Sequence, residues 1–126
     1  MGIFDMFKSN KLGEDWDKDP FTSLTMSQGE NNSPTIDDVL DALKVLDKGE
    51  TDFVSLAQYN QGLEIEVVQA IGSMGSFTIE ALTAANPDEE AKIYYKEHLD
   101  EYSLEYYFQN FFERQRVEGI ENFEER

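Results

Sequence analysis

The sequence predicts an α+β fold: an antiparallel three- or four-stranded meander with an N-terminal and a C-terminal helix packed on one face. Apolar residues recur at helical spacing near residues 36–46 and 104–112, and between these segments they alternate with polar residues as in strands. The strand-like runs are joined by short glycine-containing turns, which favour antiparallel neighbours. Each helix has one apolar stripe, and one apolar face of the sheet can receive both.

Residues 1–33 are rich in Ser, Asn, Asp and Gly. We expect an irregular polar leader here and a single α+β domain over residues 34–126. Within the leader, Asp15, Asp17 and Asp19 alternate like the start of a calcium-binding loop. Such a loop needs Gly at its sixth position and Glu at its twelfth, where this chain has Pro and Met, so no metal site is predicted.

The first helix is predicted over about Thr35–Lys48. Thr35 and Asp38 can form a capping box, and Ser33 followed by proline is the alternative start. Gly49 supplies a left-handed stop. The apolar stripe of this helix consists of Ile36, Val39, Leu40, Leu43 and Leu46.

Three strand-like runs follow, over residues 52–57, 63–71 and 76–82, with a turn over residues 72–75. In the second and third runs, alternation predicts one face toward the core and one toward water or a partner. The core-facing residues are Leu63, Ile65, Val67, Phe77, Ile79 and Ala81. The outward residues are Glu64, Glu66, Thr78 and Glu80.

A fourth strand is predicted over residues 92–96, because its Ile-Tyr-Tyr run favours strands; a helix over residues 87–99 is the alternative. A last helix is predicted over residues 103–117 and a short acidic tail over residues 120–126. The apolar stripe of the last helix consists of Leu104, Tyr107, Phe108, Phe111 and Phe112.

The chain has 27 acidic and 10 basic residues, a formal net charge of −17. Such a protein repels nucleic-acid phosphates and anionic membranes and attracts cationic surfaces. We therefore expect a protein partner with a basic surface, no nucleic acid and no membrane, although acidity that only aids solubility is an open alternative. No Lys or Arg occurs between Gly49 and Ala91. The partner-binding residues predicted from this stretch are Glu64, Glu66, Glu80, Asp88, Glu89 and Glu90.

The sequence has few of the groups that catalysis needs. It has no cysteine and one histidine, His98, and neither a nucleophile turn of the G-x-S-x-G type nor a phosphate-binding loop. We therefore expect a non-catalytic protein without a cofactor. No apolar run approaches the roughly 18 residues of a membrane span, and Met1–Phe7 does not fit a signal peptide. We expect a cytoplasmic protein that is a monomer or a weak dimer.

Four tyrosines lie close together in the sequence near the predicted fourth strand and last helix: Tyr94, Tyr95, Tyr102 and Tyr106. They cannot all be buried in a core of this size. Exposed tyrosines beside carboxylates are typical of protein-binding rims.

The order of elements resembles that of a known family. A helix ending in Lys48-Gly49 is followed by Phe53–Leu56, by Leu63–Ile71 with its glycine turn, by Phe77–Glu80, and by an aromatic helix ahead of an acidic tail. Over residues 35–120 this pattern resembles the small acidic immunity proteins of bacterial polymorphic toxin systems. The resemblance implies a cytoplasmic antidote that forms a one-to-one complex with a toxin domain, often a basic nuclease. No family contact residues carry over.

Two other classes of binding protein share these features. An acidic secretion chaperone would form a dimer and hold an effector segment along apolar grooves. A nucleic-acid-mimicking inhibitor would present regularly spaced carboxylates in place of phosphates.

Overall fold

The computed structural model describes residues 20–84 and 90–126 of the chain. Within these ranges the structure has one antiparallel sheet of seven strands and two α-helices, so the predicted α+β class is confirmed. The elements in chain order are β1 (Phe21–Met26), β2 (Gly29–Asn31), α1 (Ile36–Asp47), β3 (Val54–Tyr59), β4 (Ile65–Ser73), β5 (Ser76–Thr83), β6 (Ile93–Leu99), α2 (Glu101–Arg114), a 3-10 turn (Ile120–Asn122) and β7 (Glu124–Glu125).

The strands are arranged in the order β2-β1-β3-β4-β5-β6-β7, and every neighbouring pair is antiparallel. From β3 to β7 the strands follow one another in chain order, as in the predicted meander. The sheet is wider than the predicted three or four strands because both ends of the described chain add strands to it.

Two of the added strands, β1 and β2, lie within residues 1–33. The prediction of an irregular leader is therefore wrong for these strands, and residues 1–19 lie outside the described part of the chain. β1 pairs with β3 along its whole length, from Phe21 opposite Tyr59 to Met26 opposite Val54. Three of its six residues are Ser or Thr, so its composition resembles a polar loop although Thr fits well in a strand.

The third added strand, β7, lies within the predicted acidic tail. Glutamate is a poor strand former, so contacts made elsewhere in the fold hold this segment in place. The backbone N–H of Arg126 donates a hydrogen bond of 2.8 Å to the carbonyl of Ile93. The guanidinium of Arg126 also pairs with Glu80, with Nε 2.7 Å from Oε2.

Helix α1 begins with the predicted capping box. The Thr35 hydroxyl accepts from the Asp38 backbone N–H at 3.2 Å, and the Asp38 carboxylate accepts from the Thr35 N–H at 2.9 Å. Gly49 follows the helix with φ of +75°, as expected for a left-handed stop. Leu40 is half-buried, whereas Ala42, which was not part of the predicted stripe, is buried with Val39, Leu43 and Leu46.

Strand β4 departs from simple alternation. Ile65 lies opposite Thr83, but Val67 lies opposite Leu82, so β4 has one extra residue, Glu66, in a β-bulge. Ile65 therefore packs in the helix-side core, while Val67 belongs to a smaller cluster on the other face of the sheet. The prediction that these two residues share one face is wrong, because a bulge reverses the alternation that follows it.

Strand β5 follows the predicted alternation, since Phe77, Ile79 and Ala81 all pack in the helix-side core. The β4–β5 hairpin closes through Met74 and Gly75, both with positive φ, as in a tight two-residue turn. Gly72 is needed nearby because a Cβ at its position would lie 2.3 Å from the carbonyl oxygen of Ser76.

The strand prediction for the segment before α2 is confirmed, since β6 replaces the alternative helix. Asp100 caps α2 by accepting from the Ser103 backbone N–H at 2.7 Å, and Gln115 ends it in a left-handed conformation. The predicted stripe is confirmed too: Leu104, Phe108 and Phe111 are buried, and Tyr107 and Phe112 pack against them.

The helix-side core contains residues of both helices and of one face of the sheet. The other face carries the smaller cluster, formed by Ala57, Val67, Leu82 and Ala91 with Tyr59 and Ile93 packed against it. Neither of the described helices is both long enough and apolar enough to cross a membrane.

Candidate protein-binding surfaces

The predicted site residue Glu66 is not on an open face. It lies in the β4 bulge and is only 5% exposed. Burial, together with the negative charges of Glu66 and Glu30, raises the pKa of Tyr59 above its usual range. The prediction that Glu66 faces water or a partner is therefore wrong, because the bulge turns this side chain into the fold.

Glu80 lies on the outer face of the sheet, as predicted, but both of its carboxylate oxygens have partners within the chain. Oε1 accepts from Gln69 Nε2 at 2.9 Å, and Oε2 accepts from Arg126 Nε at 2.7 Å. Gln69 Oε1 in turn accepts from the Ser55 hydroxyl at 3.1 Å. These four side chains, which we call the Glu80 ladder, run across β3, β4 and β5 to the C-terminus.

Two of the remaining predicted site residues, Glu64 and Glu90, are exposed. The carbonyl of Glu64 accepts from the N–H of Ala84, and Thr83 is hydrogen-bonded to Lys92, so both carboxylates lie at the same end of the sheet. Asp88 and Glu89 lie outside the described residues. Of the six predicted acids, the described structure therefore leaves Glu64 and Glu90 exposed at one end of the sheet. It places Glu66 and Glu80 in contacts within the chain.

The outward side of α2 carries two exposed tyrosines one helical turn apart. Tyr102 is 86% exposed and Tyr106 is 53% exposed. Helical spacing places Glu105, Gln109 and Glu113 on the same side. We call these five residues the tyrosine face.

The helix that carries the tyrosine face is anchored in the core. Leu104, Phe108 and Phe111 anchor the opposite side of α2 in the core, each 1% exposed or less. The ring of Tyr106 contacts that of Tyr107 edge-on, with 5.9 Å between ring centroids. The Tyr107 ring in turn packs edge-on against that of Phe123, at 5.6 Å. A binding surface on a fixed helix loses less conformational entropy on association than one on a loop.

A second surface feature is a groove of about 390 Å³ between α1 and the strands β1 and β2. Its apolar lining comes from Leu24 and Met26 of β1 and from Ala42 and Val45 of α1. The acidic residues along it are Asp38 and Asp41 of α1 and Glu30 of β2; the Glu30 side chain lies on the opposite face of the sheet from Leu24, because Glu30 pairs with Thr25. Hydrogen bonding to the Thr35 backbone N–H lowers the pKa of Asp38, so this carboxylate is ionised at neutral pH. We call this feature the α1–β2 groove.

Sequence reasoning did not find this groove, although part of its signal is present. Asp38, Asp41, Ala42 and Val45 recur at helical spacing beside the core stripe of α1. The other wall is formed by β1 and β2, which were not predicted as strands.

Residues with catalytic or metal-binding potential are scattered. Among residues 20–84 and 90–126, no group of three or more His, Asp or Glu side chains is arranged to hold a metal ion. His98 is exposed near the end of β6, with a left-handed φ of +62°.

Comparisons of the chain with protein-family models, with curated proteins and with solved structures give no match. The resemblance to immunity proteins therefore stays a prediction from the order of the elements.

Proposed function

We propose that this chain is a non-catalytic acidic binding protein whose tyrosine face docks on a basic surface of a folded partner protein. In line with the resemblance described above, the proposed partner is a toxin domain, and the proposed role is that of a cytoplasmic immunity protein. The observation that carries the proposal is the pair of exposed tyrosines, Tyr102 and Tyr106, set among carboxylates on a helix anchored in the core.

Tyrosines in this setting suit the recognition of arginine and lysine. A cation can lie over the ring while neighbouring carboxylates accept its hydrogen bonds. The chain contains an internal example: the guanidinium of Arg126 lies 4.2 Å from the centroid of the Tyr95 ring and pairs with Glu80. On α2, Tyr102 and Tyr106 with Glu105 offer similar groups to solvent.

The energetics favour a small number of strong contacts. Tyrosine loses little conformational entropy on binding because it has two rotatable side-chain bonds, and it is enriched at interface hot spots. Truncating a hot-spot tyrosine costs about 2 kcal/mol or more, which is about 30-fold in affinity. The net charge of −17 adds long-range attraction, which raises the association rate at low salt.

The proposal predicts an adjacent gene that encodes a large protein with a toxic C-terminal domain, and the test is co-expression of that domain with the full chain. We expect that domain to arrest growth when expressed alone, and this chain to restore growth through a one-to-one complex. The double variant Tyr102→Ala, Tyr106→Ala should lose affinity by about 100-fold or more. Met74→Ala is the matched control, since Met74 is 88% exposed on the β4–β5 turn, away from α2.

Two results would contradict the proposal. An adjacent gene that encodes no growth-inhibiting domain would remove the immunity role. If the double tyrosine variant binds as tightly as Met74→Ala does, the tyrosine face is not the binding site. Glu64 and Glu90 would then be the next candidates.

The secretion-chaperone alternative rests on a different feature. It requires an apolar groove for an extended segment, and the α1–β2 groove is the observation that favours it.

A further inference from the structure

We propose that the α1–β2 groove binds an extended, basic polypeptide segment of a partner protein, which pairs with β2 and inserts one apolar side chain beside Val45. This site is separate from the tyrosine face and does not depend on the toxin assignment.

The first support is the position of β2 at the end of the sheet. β2 pairs with β1 on one side, and the strand order places no further strand beyond it among the described residues. All three of its residues, Gly29–Asn31, are exposed. An exposed edge strand is a template for another strand, and peptides commonly bind by adding to such an edge.

The second support is the apolar floor beside this edge. Met26 and Val45 are half-buried, and the space they line with Leu24 and Ala42 is about 390 Å³. That volume is at the lower end of the roughly 300–1,000 Å³ typical of ligand sites. Gly29 lies opposite Met26 in the β1–β2 register and has no side chain to cover it. An added strand would point every second side chain toward this floor.

The third support is the charge of the walls, which selects a basic occupant. Asp38 and Asp41 lie on the α1 side of the groove. Glu30 pairs with Thr25, which puts it on the opposite face of the sheet from Leu24. Asp38 Oδ2 already accepts from the Thr35 N–H at 2.9 Å and from Asn31 Nδ2 at 3.2 Å, so Asp41 is the main acceptor on this wall. In an added strand, a Lys or Arg next to the apolar residue would reach Glu30, and one two positions away would reach Asp41.

The register therefore defines a simple probe: the synthetic peptide acetyl-Gly-Lys-Lys-Leu-Lys-Lys-Gly-amide. The same peptide with Ser in place of Leu has the same charge and no apolar anchor. We expect the Leu peptide to bind the full chain at least about tenfold more tightly than the Ser peptide, because burial of a leucine side chain is lost in the latter. In amide NMR spectra, the shifts caused by the Leu peptide should be concentrated at Gly29–Asn31 and Asp38–Val45.

Two variants of α1 distinguish binding in the groove from non-specific electrostatic attraction to the acidic chain. Asp41→Asn removes a charge at the groove, and Asp37→Asn removes one from an exposed position of the same helix that does not line it. We expect Asp41→Asn to weaken binding of the Leu peptide about three- to fivefold, within the range for exposed ion pairs, and Asp37→Asn to have little effect. Val45→Lys, which places a cation in the groove, should abolish specific binding.

The double tyrosine variant of α2 should leave the ratio of the Leu-peptide and Ser-peptide affinities unchanged, because that ratio reports only the apolar anchor in the groove. The groove proposal and the tyrosine-face proposal can therefore fail independently. Equal affinity for the Leu and Ser peptides would overturn the groove proposal. Amide shifts spread evenly over the acidic surface, or equal effects of Asp41→Asn and Asp37→Asn, would overturn it as well.

Discussion

The Glu80 ladder makes a prediction that separates a structural role of Glu80 from a role in binding. Gln69 is 4% exposed, and its Nε2 donates to Glu80 Oε1 at 2.9 Å. In the variant Glu80→Ala this buried amide loses its acceptor, and an unsatisfied buried polar group costs about 1–3 kcal/mol. Loss of the pair with Arg126 adds less than about 1 kcal/mol, because the Arg126 side chain is 44% exposed and solvent screens the interaction. The expected loss of unfolding free energy is thus about 1–4 kcal/mol.

Glu80→Gln is the matched control for this loss. The glutamine keeps a carbonyl oxygen that can accept from Gln69, and it removes the charge and the second oxygen that pair with Arg126. We expect it to cost less than about 1 kcal/mol. The measurement is urea-induced unfolding followed by circular dichroism, with both variants compared with the unmodified chain at the same pH and salt.

The two variants must differ for the reasoning to hold. If Glu80→Ala costs less than about 0.5 kcal/mol, the ladder does not contribute to stability, and Glu80 would again be available for a partner. If Glu80→Gln is as destabilising as Glu80→Ala, the charge and not the hydrogen bond to Gln69 is what matters. Either result would refute the account given for this part of the sheet.

Two further predictions concern the core and the helix caps. Phe108→Ala should lower the free energy of unfolding by about 3–5 kcal/mol, because this ring is fully buried. Leu40→Ala should lower it by only about 1–2 kcal/mol, because Leu40 is half-buried. Equal losses in urea unfolding would contradict the packing of the two helices. Hydrogen bonds from the backbone N–H groups of Thr35 and Ser103 lower the pKa values of Asp38 and Asp100 below the usual 3.8. Both carboxylates therefore stabilise the fold fully above that pH. This stabilisation is lost as the pH falls through their lowered pKa values in the folded state. The double variant Asp38→Asn, Asp100→Asn should therefore lose less thermal stability than the unmodified chain when pH is lowered from about 5 to about 2, and a parallel fall of both melting curves would contradict it.

The parts of the fold that could be predicted from sequence are those in which local signals and packing agree. The capping box of Thr35 and Asp38, the stop at Gly49 and the apolar stripe of α2 are all of this kind. Each depends on residues within a few positions of one another, so helical spacing is sufficient to identify it. The same is true of β5, whose alternation is uninterrupted.

The parts that could not be predicted depend on contacts between distant segments. β1 forms a strand because all six of its residues pair with β3, and β7 forms one because Arg126 bonds to Ile93 and Glu80. The bulge at Glu66 leaves no mark in the sequence, since an alternating pattern reads the same with or without an extra residue in the pairing. The predicted outward position of Glu66 is wrong for this reason.

The positions of the acidic residues in the structure limit what the charge of the chain can contribute to recognition. The sequence predicts one open face that carries Glu64, Glu66 and Glu80, but the described structure buries Glu66 and pairs Glu80 with two side chains. The chain has 27 acidic residues and a net charge of −17, so charge alone does not locate a binding site. Among the described residues, apolar features are fewer and more local: two exposed tyrosines on α2, the floor of the α1–β2 groove, and Ile71 and Met74 on the β4–β5 hairpin. We therefore predict that specificity depends on the tyrosines and the groove, while the carboxylates around them set the rate of encounter with the proposed basic partner and its dependence on salt.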